Sequence, residues 1–294
     1  MERVERVLDK GYVELVDWMG SDEAIVQAAR ISTAKEGDSK RNIRGLIRFL
    51  LRNRHTTPFE QVTFKFRIKL PIFVARQLVR HRTQALNEHS LRYSEAEDEF
   101  YIPEYEDILG QGVQNKQGSE GELSDDSREA FLSELIRIDS EAHDGYQSAI
   151  AAGISRERAR ILLPVNLYTR WYSTISLWNL FHMLKLRMDT HSQQETREYA
   201  YAMYRLARQI CPLAFDAFDE YILYSVTLSR EDAAILHELL SWADQQGSTD
   251  KTLSKLTLAI NSAKSSSQRS LRDDIECTVA QWESDKRYRE LVVT

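Results

Sequence analysis

Glycine, proline and cysteine are all scarce in this sequence, and several common binding motifs are absent. The 294 residues include 11 glycines, 5 prolines and 2 cysteines, whereas glycine and proline alone average about 12% of a globular chain. This scarcity favours long helices and disfavours a turn-rich sandwich or barrel. The sequence has no GxGxxG after a strand pattern, no GxxxxGKS or GxxxxGKT, and no HExxH. A Rossmann site, a P-loop and a zincin site are therefore disfavoured.

Further absences restrict the cellular compartment and the partners that we expect for this protein. Cys211 and Cys277 lack CxxC spacing, so we expect reduced thiols and no metal site. The first ten residues hold no apolar stretch of signal-peptide length, and the most continuous apolar run, residues 70–75, is too short to span a bilayer. A net charge of -6 makes general binding to nucleic acid or to a membrane surface a poor hypothesis. We expect a cytoplasmic protein with neither partner.

Hydrophobic periodicity predicts a small sheet among long helices. Alternation of apolar residues predicts strands over 12–18 and 62–70. The helical period and its capping signals predict helices over 21–32, 43–54, 72–81, 128–151, 155–163, 176–187, 193–210 and 212–224. Residues 109–127 hold four glycines and are predicted to form an exposed loop. The expected fold class is α+β, with a small, mainly antiparallel sheet flanked by long helices.

The C-terminal part of the sequence differs in character from the rest. Ser229 is predicted to cap a helix that ends near Gly247, and residues 262–270 form a serine-rich hinge before a charged amphipathic helix. We therefore expect a main domain over 1–225 and a helical C-terminal extension over 226–294.

Positive charge concentrates between residues 76 and 92. This segment contains one acid, Glu88, and the following basic residues: Arg76, Arg80, His81, Arg82, His89 and Arg92. Arginine presents a rigid fork of donors that suits phosphates and planar anionic rings. On charge alone, however, a solvated basic helix end is the more frequent explanation of such a run.

The order of residues in this segment resembles the signature of the flavin-dependent thymidylate synthases. Arg80-His81-Arg82, seven further residues and Ser90 follow the family's RHR-x7-S motif. The matching segments are HTTPFE at 55–60, ARIS at 29–32, PIFVARQ at 71–77, NEHSLRY at 87–93, ARILLP at 159–164 and LRMDTH at 186–191. The resemblance covers about residues 10–224, with a variable loop at 109–127.

The resemblance implies a reductive methylation. The uracil of deoxyuridine monophosphate (dUMP) would gain a methyl group from methylenetetrahydrofolate and become dTMP. Non-covalently bound FAD, reduced by NADPH, would supply the hydride. The resemblance also implies a homotetramer in which several subunits build each active site, with residues 1–225 as the catalytic domain.

The resemblance further implies which residues form the site. Arg187 would be the catalytic residue, because its charge would favour the deprotonated uracil. The implied dUMP contacts are Gln77, Arg80, Glu88, His89, Ser90, Leu91, Arg92, Arg160 and Arg187. The implied FAD contacts are Ser32, His55, Arg80, His81, Arg82, Asn87, Glu88, Ser176, Trp178 and His182. No metal is implied.

Several of these residues have a purely structural alternative. Arg160 could form a structural ion pair, and Arg187 could pair with the nearby Asp189. His182 could be a satisfied core histidine, and Ser176 could serve only as a helix N-cap. The resemblance, rather than spacing, favours the functional interpretation.

One segment departs from the family pattern. Where the family carries Asn-x-Arg, this sequence has Ser176-Leu177-Trp178. Trp178 cannot neutralise a phosphate, although it could stack on a ring or pack in the core. This departure motivates a first alternative, a catalytically inactive nucleotide- or flavin-binding homologue. A second alternative is a non-enzymatic, all-helical interaction protein.

Ser90 beside His89 also invites interpretation as a nucleophile with its base. Adjacent residues of an extended segment point to opposite sides. We therefore predict that Ser90 is a hydrogen-bonding ligand of the nucleotide and not a nucleophile.

Overall fold

The structure is a computed structural model that describes residues 2–31, 42–112 and 118–232. The chain divides into two compact units, residues 1–218 and 219–294. Ser32, Cys277, the serine-rich hinge and the helices predicted beyond residue 232 lie outside the described residues. The expected boundary at residue 225 stays a prediction.

An antiparallel five-stranded sheet organises the first unit. Its strands are β1 (Val4–Val7), β2 (Gly11–Met19), β3 (Thr63–Pro71), β4 (Gln84–Glu88) and β7 (Tyr168–Ser176). They lie in the order β1-β2-β3-β7-β4, and every neighbouring pair is antiparallel. A separate two-stranded ribbon joins β5 (Gly110–Gln111) to β6 (Ser119–Gly121). Among the described residues, strand β4 is therefore an edge strand, with β7 as its one neighbour.

Nine α-helices in the described part of the first unit accompany the sheet. They are α1 (Asp22–Ile31), α2 (Ile43–Arg52), α3 (Thr57–Glu60), α4 (Ile72–Leu78), α5 (Asp125–Ala151), α6 (Arg156–Ala159), α7 (Leu177–Arg187), α8 (Gln194–Arg208) and α9 (Pro212–Phe218). In the second unit, Asp219–Leu223 form one π-helical stretch. None of the described helices has both the length and the apolar character needed to cross a bilayer.

Apolar faces of sheet and helices form the core of the first unit. In β3, Phe64, Phe66 and Ile68 are buried, and the residues between them face outward as the period of two predicts. Phe181 of α7 stacks on Phe218 of α9 with ring centroids 4.4 Å apart. The expected α+β class, with helices beside a small antiparallel sheet, is confirmed. The all-helical alternative is wrong.

Several predicted boundaries are corrected by the structure. The sequence patterns do not predict strands β1, β4 and β7, and the ribbon occupies part of the loop predicted at 109–127. Helix α5 begins at Asp125, because the Ser124 side chain accepts a hydrogen bond from the Ser127 backbone N–H and caps it. The helix predicted over 155–163 ends at Ala159 and continues as a 3-10 turn over Arg160–Leu162.

The predicted cap at Ser229 is confirmed in the second unit. The Ser229 hydroxyl accepts from the Asp232 backbone N–H at 3.1 Å. In return, the Asp232 carboxylate accepts from the Ser229 backbone N–H at 2.9 Å. This reciprocal pair is a capping box that begins the helix at Arg230.

Candidate active site

Strand β4 separates the predicted site residues into two groups. Arg80, His81 and Arg82 precede the strand, whereas His89 and Ser90 follow it. A strand rises about 3.3 Å per residue, so the ends of this five-residue strand lie roughly 13 Å apart. The residues of the RHR-x7-S motif therefore do not converge on one point within a subunit.

A cleft of about 480 Å³ lies at the C-terminal end of β4. This volume suits a small-molecule ligand. Its lining consists of Ile72, Glu88, His89, Ser90, Leu91, Arg160, Ile161, Leu163, Leu167, Tyr168 and Thr169. Part of its wall belongs to a buried apolar cluster that includes Phe100, Tyr146 and Leu167. Five of the nine residues predicted to contact the nucleotide meet here.

Hydrogen bonds from strand β7 hold the polar groups of the cleft. The Thr169 hydroxyl donates to Oε1 of Glu88 at 2.8 Å, and Thr169 is only 7% exposed. The neighbouring Tyr168 hydroxyl donates to Oδ1 of Asp9 at 2.5 Å. Burial, together with Asp9, raises the pKa of Tyr168 above its ordinary value, so Tyr168 stays a protonated donor.

Arg160 supplies the cleft with a positive charge that is unpaired among the described residues. Its side chain is exposed and has no hydrogen-bond or ion-pair partner within residues 2–31, 42–112 and 118–232. The structural ion pair considered for Arg160 is thus not found in that part of the chain. Arg92, by contrast, pairs with Glu157 at 2.9 Å. Of these two predicted nucleotide contacts, Arg160 is the one whose guanidinium is free.

His89 is engaged away from Ser90. Nε2 of His89 lies 2.6 Å from the Ser94 hydroxyl. The Ser90 hydroxyl instead accepts from the Arg92 backbone N–H at 3.3 Å. The expectation that His89 does not serve as a base for Ser90 is confirmed by this geometry.

A second group of predicted residues meets where α4 and α7 end. Arg187, the last residue of α7, donates from Nε to Nε2 of His81 at 2.9 Å. It also donates from Nη2 to the backbone carbonyl of Gln77 at 3.1 Å. Asp189 instead contacts His191, with Oδ1 to Nδ1 at 2.7 Å. The alternative in which Arg187 pairs with Asp189 is therefore wrong. We call Gln77, His81, His182 and Arg187 the arginine cluster.

Burial sets the protonation of the arginine cluster. His81 is 6% exposed, and its burial, followed by the charge of Arg187 and by His182, lowers the pKa of His81 to about 4. The imidazole is therefore neutral at neutral pH and accepts at Nε2. Burial also lowers the pKa of Arg187 from its ordinary value. His182 is exposed and lies edge-on to His81 with ring centroids 6.0 Å apart, so it is not a core histidine.

The remaining residues predicted to bind flavin are mostly on the surface. The side chains of Arg80, Arg82 and Asn87 are exposed and have no partner among the described residues. His55 is exposed and stacks on Phe49 with centroids 5.9 Å apart. Free guanidinium groups suit the phosphates of a dinucleotide, and stacked rings suit a planar heterocycle. The residues present thus fit a flavin dinucleotide.

The Ser176-Leu177-Trp178 segment lies at the start of α7. Ser176 accepts from the Asn179 backbone N–H at 3.5 Å and is the N-cap of the helix. Trp178 is half-buried in the first turn. Asn179 Nδ2 donates to the Thr83 backbone carbonyl at 3.3 Å, which ties α7 to the start of β4. The N-cap role of Ser176 is confirmed.

Two residues that support the site, Thr169 and Asn179, could not be recognised from the sequence. Thr169 lies outside every motif, and its importance becomes visible only when β7 pairs with β4. Asn179 acts on a segment 96 residues earlier. No cluster of three or more potential metal ligands occurs in the described part of the chain.

Comparison with known proteins adds a family match. Residues 14–213 match the family described as thymidylate synthase complementing protein. A flavin-dependent thymidylate synthase of Treponema denticola is 43% identical over 265 residues, which span 90% of this chain and 99% of that protein. One from Thermus thermophilus is 48% identical over 235 residues, covering 80% of this chain and 85% of that protein. Because 265 aligned residues exceed the first 225, the Treponema match extends into residues 226–294. The similarity to the family therefore reaches beyond residue 224, where we expected it to end.

A solved structure is also similar. The chain resembles the UMP/dUMP methylase PolB from Streptomyces cacaoi bound with 5-Br dUMP, at a TM-score of 0.67 and 35% identity. The similarity covers 74% of this chain and 99% of that one. The same methylase bound with 5-Br UMP gives a TM-score of 0.67 at 36% identity, covering 74% of this chain and 96% of that one.

Proposed function

The chain belongs to the family of flavin-dependent thymidylate synthases, and from that premise we propose that it converts dUMP to dTMP by reductive methylation. Methylenetetrahydrofolate is the carbon donor, and NADPH reduces a non-covalently bound FAD. The observation that best supports this function is the cleft, which gathers Glu88, Ser90 and Arg160 in a volume of about 480 Å³.

The cleft residues bind and orient the nucleotide. The free guanidinium of Arg160 neutralises an anionic group of dUMP through paired hydrogen bonds. The Ser90 hydroxyl donates a further hydrogen bond to the nucleotide. Glu88 is held in place by Thr169 and accepts hydrogen bonds from ligand N–H or O–H groups. The apolar wall formed by Leu163 and Leu167 excludes water from one side of the cleft.

Arg187 stabilises negative charge on the activated uracil. Both of its described partners, the His81 ring nitrogen and the Gln77 carbonyl, are neutral acceptors. The guanidinium therefore keeps its positive charge for an incoming anion, in a site where burial strengthens the attraction.

Arg80, Arg82 and Asn87 hold the cofactor through its phosphates and polar edges, and His55 packs against a ring. When bound, reduced flavin supplies the hydride that completes the methyl group. Ser176 and Trp178 hold no charge here, so the two arginines of the RHR motif provide the electrostatic binding of the cofactor.

We further propose that the protein is a homotetramer with shared active sites. The cleft and the arginine cluster lie at opposite ends of β4, so the described residues of one subunit do not bring the two groups together, and a second subunit would complete each site. Beside Arg160, Ile161 is 71% exposed and Val165 is 63% exposed. An apolar surface of this kind next to a cleft fits a subunit interface.

An anaerobic single-turnover assay tests the proposed reaction. Reduced enzyme is mixed with dUMP and methylenetetrahydrofolate, flavin reoxidation is followed by absorbance, and dTMP is measured by chromatography. We expect dTMP formation that depends on both substrates. UMP is run in parallel, because the similar solved structures are of a UMP/dUMP methylase. Binding of flavin and dUMP without any dTMP would instead favour the inactive homologue.

A further inference from the structure

We infer that the side chains of His89 and Ser94 form a bridge that holds the turn over residues 90–93 in the conformation that binds the nucleotide. This inference rests on the proposed function, since Ser90 and Leu91 of the turn line the cleft that is taken to bind dUMP. It gives a role to Ser94, which directly follows the NEHSLRY segment. Through the bridge, the His89 and Ser94 side chains act as positioning groups.

The bridge joins the two ends of the turn. Nε2 of His89 lies 2.6 Å from the Ser94 hydroxyl, which is a hydrogen-bond distance. Inside the turn, the Tyr93 backbone N–H donates to the Ser90 carbonyl at 3.0 Å. The Ser94 hydroxyl reaches the same carbonyl at 3.4 Å. The backbone of the turn is therefore held both by its own hydrogen bond and by the bridge.

The single proton of the Ser94 hydroxyl sets the direction of the bridge. A serine hydroxyl can donate one hydrogen bond and accept two. The Ser90 carbonyl can only accept, so both contacts of Ser94 are satisfied together when its proton points at that carbonyl. His89 then donates from Nε2–H to the Ser94 oxygen. A residue that replaces His89 must therefore be a donor.

The segment that carries the turn is anchored at both ends. At its start, the His89 backbone N–H donates to the Arg170 carbonyl of β7 at 2.8 Å. At its far end, the Ala96 backbone N–H donates to the Tyr146 hydroxyl at 3.1 Å, and both of these residues are buried. The bridge acts on the residues between these two fixed points.

The ion pairs of this segment constrain it less than the bridge does. Arg92 pairs with Glu157, and Glu95 pairs with Arg156, and all four side chains are exposed. Exposed ion pairs are screened by water and salt and hold a geometry only weakly. The two residues of the bridge are half-buried instead. The bridge is therefore a stronger constraint on the turn than either ion pair.

The bridge leaves the Ser90 side chain available to the nucleotide. The Ser90 oxygen accepts from the Arg92 backbone N–H at 3.3 Å, which orients the hydroxyl and leaves its proton free to be donated. A turn that is ordered beforehand loses little further conformational entropy when the ligand binds. Loss of the bridge should therefore weaken dUMP binding more than it slows the chemical step.

Substitutions at both ends of the bridge test this role. Ser94→Ala and His89→Leu each remove it, whereas His89→Gln keeps an N–H donor. We expect the first two variants to raise the dUMP dissociation constant about 3- to 10-fold, measured by calorimetry on flavin-loaded protein. Turnover at saturating dUMP should fall by no more than about 2-fold. His89→Gln should restore affinity to within about 2-fold of wild type, and flavin content should stay near wild type in all three variants.

Ser225→Ala is the matched control for Ser94→Ala. Ser225 is also half-buried, and its hydroxyl also donates to a backbone carbonyl, that of Ile222 at 3.1 Å. It lies outside the cleft lining. Its dUMP dissociation constant and its turnover should both equal those of wild type.

A double-mutant cycle separates one bridge from two independent effects. If His89 and Ser94 act together, the double variant His89→Leu/Ser94→Ala should bind dUMP within about 2-fold of the weaker single variant. Unchanged dUMP affinity in Ser94→Ala, or single effects that multiply in the double variant, would overturn the inference while wild-type turnover stays intact. A wild-type protein that neither binds nor methylates dUMP would overturn the proposed function, and the inference with it.

Discussion

Arg187 has no carboxylate partner among the described residues and meets only neutral acceptors. Arg187→Ala should lower turnover by about 100-fold or more, because a removed charge in a buried site costs several kcal/mol of transition-state stabilisation. Folding and flavin content should persist. Steady-state dTMP formation and visible absorbance measure the two effects.

Arg197→Ala is the control for this variant. Arg197 also donates to two backbone carbonyls, those of Thr190 and Ser192, at 2.9 and 2.8 Å. It should lose some stability and little turnover. Near-normal turnover in Arg187→Ala would contradict the catalytic assignment.

His81 makes the stability of the fold depend on pH. The folded-state pKa of about 4 lies below the ordinary value of 6.5, so the folded state resists protonation. The stabilisation is complete above about pH 6.5 and is lost as the pH falls towards 4, by roughly 1–3 kcal/mol. His81→Gln has no proton to bind. Its stability relative to wild type should therefore rise between pH 7.5 and 5, as measured by thermal unfolding. A pH-independent difference would contradict this.

Part of the candidate site could be predicted from the family resemblance. The motifs that carry the resemblance include Glu88, Ser90 and Arg160, which the structure places together in the cleft. The bond between His81 and Arg187 could not be predicted, since it joins the ends of two helices more than a hundred positions apart. Spacing carries information about neighbours within an element, whereas contacts between elements depend on the tertiary fold.

At the scale of elements, strand β7 is not predicted from the sequence pattern, and it also holds part of the candidate site in place. Its buried side includes the polar Thr169 and Ser173, which break the apolar alternation that identifies a strand. Both are tolerated because they donate to β4: Thr169 to Glu88, and Ser173 to Gln84 at 2.7 Å. The same two hydrogen bonds therefore satisfy the buried hydroxyl groups of β7 and hold the side chains of the edge strand β4 in place.

Removing one of these donors should affect ligand binding more than folding. Thr169→Val leaves Glu88 without its described donor, and we expect dUMP affinity to fall about 5- to 10-fold, with about 1 kcal/mol lost from the free energy of unfolding. Calorimetry and thermal unfolding measure the two effects.

Thr174→Val on the same strand is the matched control. Thr174 has no side-chain hydrogen bond in the part of the chain that the structure describes, so affinity should not change. Equal losses in both variants would show that Thr169 matters only for packing.

At the scale of the whole molecule, shared sites predict complementation between two inactive chains. Arg160→Ala disables the cleft and Arg187→Ala disables the arginine cluster. If each site takes its cleft from one subunit and its cluster from another, random 1:1 tetramers contain about one quarter intact sites. Co-expression with two different tags, followed by tandem purification, provides the mixed species. Turnover should reappear in it.

Each variant alone is the control and should stay inactive when purified with both tags. Mixed tetramers without activity would place the whole site within one subunit. Light scattering should give four times the 34.2 kDa chain mass, and a monomer of unchanged activity would contradict shared sites.

The edge position of β4 has a consequence for communication within such an assembly. One end of this five-residue strand enters the cleft, and Asn179 ties its other end to the helix that carries Arg187. In a tetramer with shared sites, the two ends serve two different catalytic centres. Strand β4, roughly 13 Å long, would then connect the two neighbouring centres without any intervening domain. If dUMP binding at one centre displaces this strand, the neighbouring centre is affected as well, and we expect a sigmoidal dUMP saturation curve.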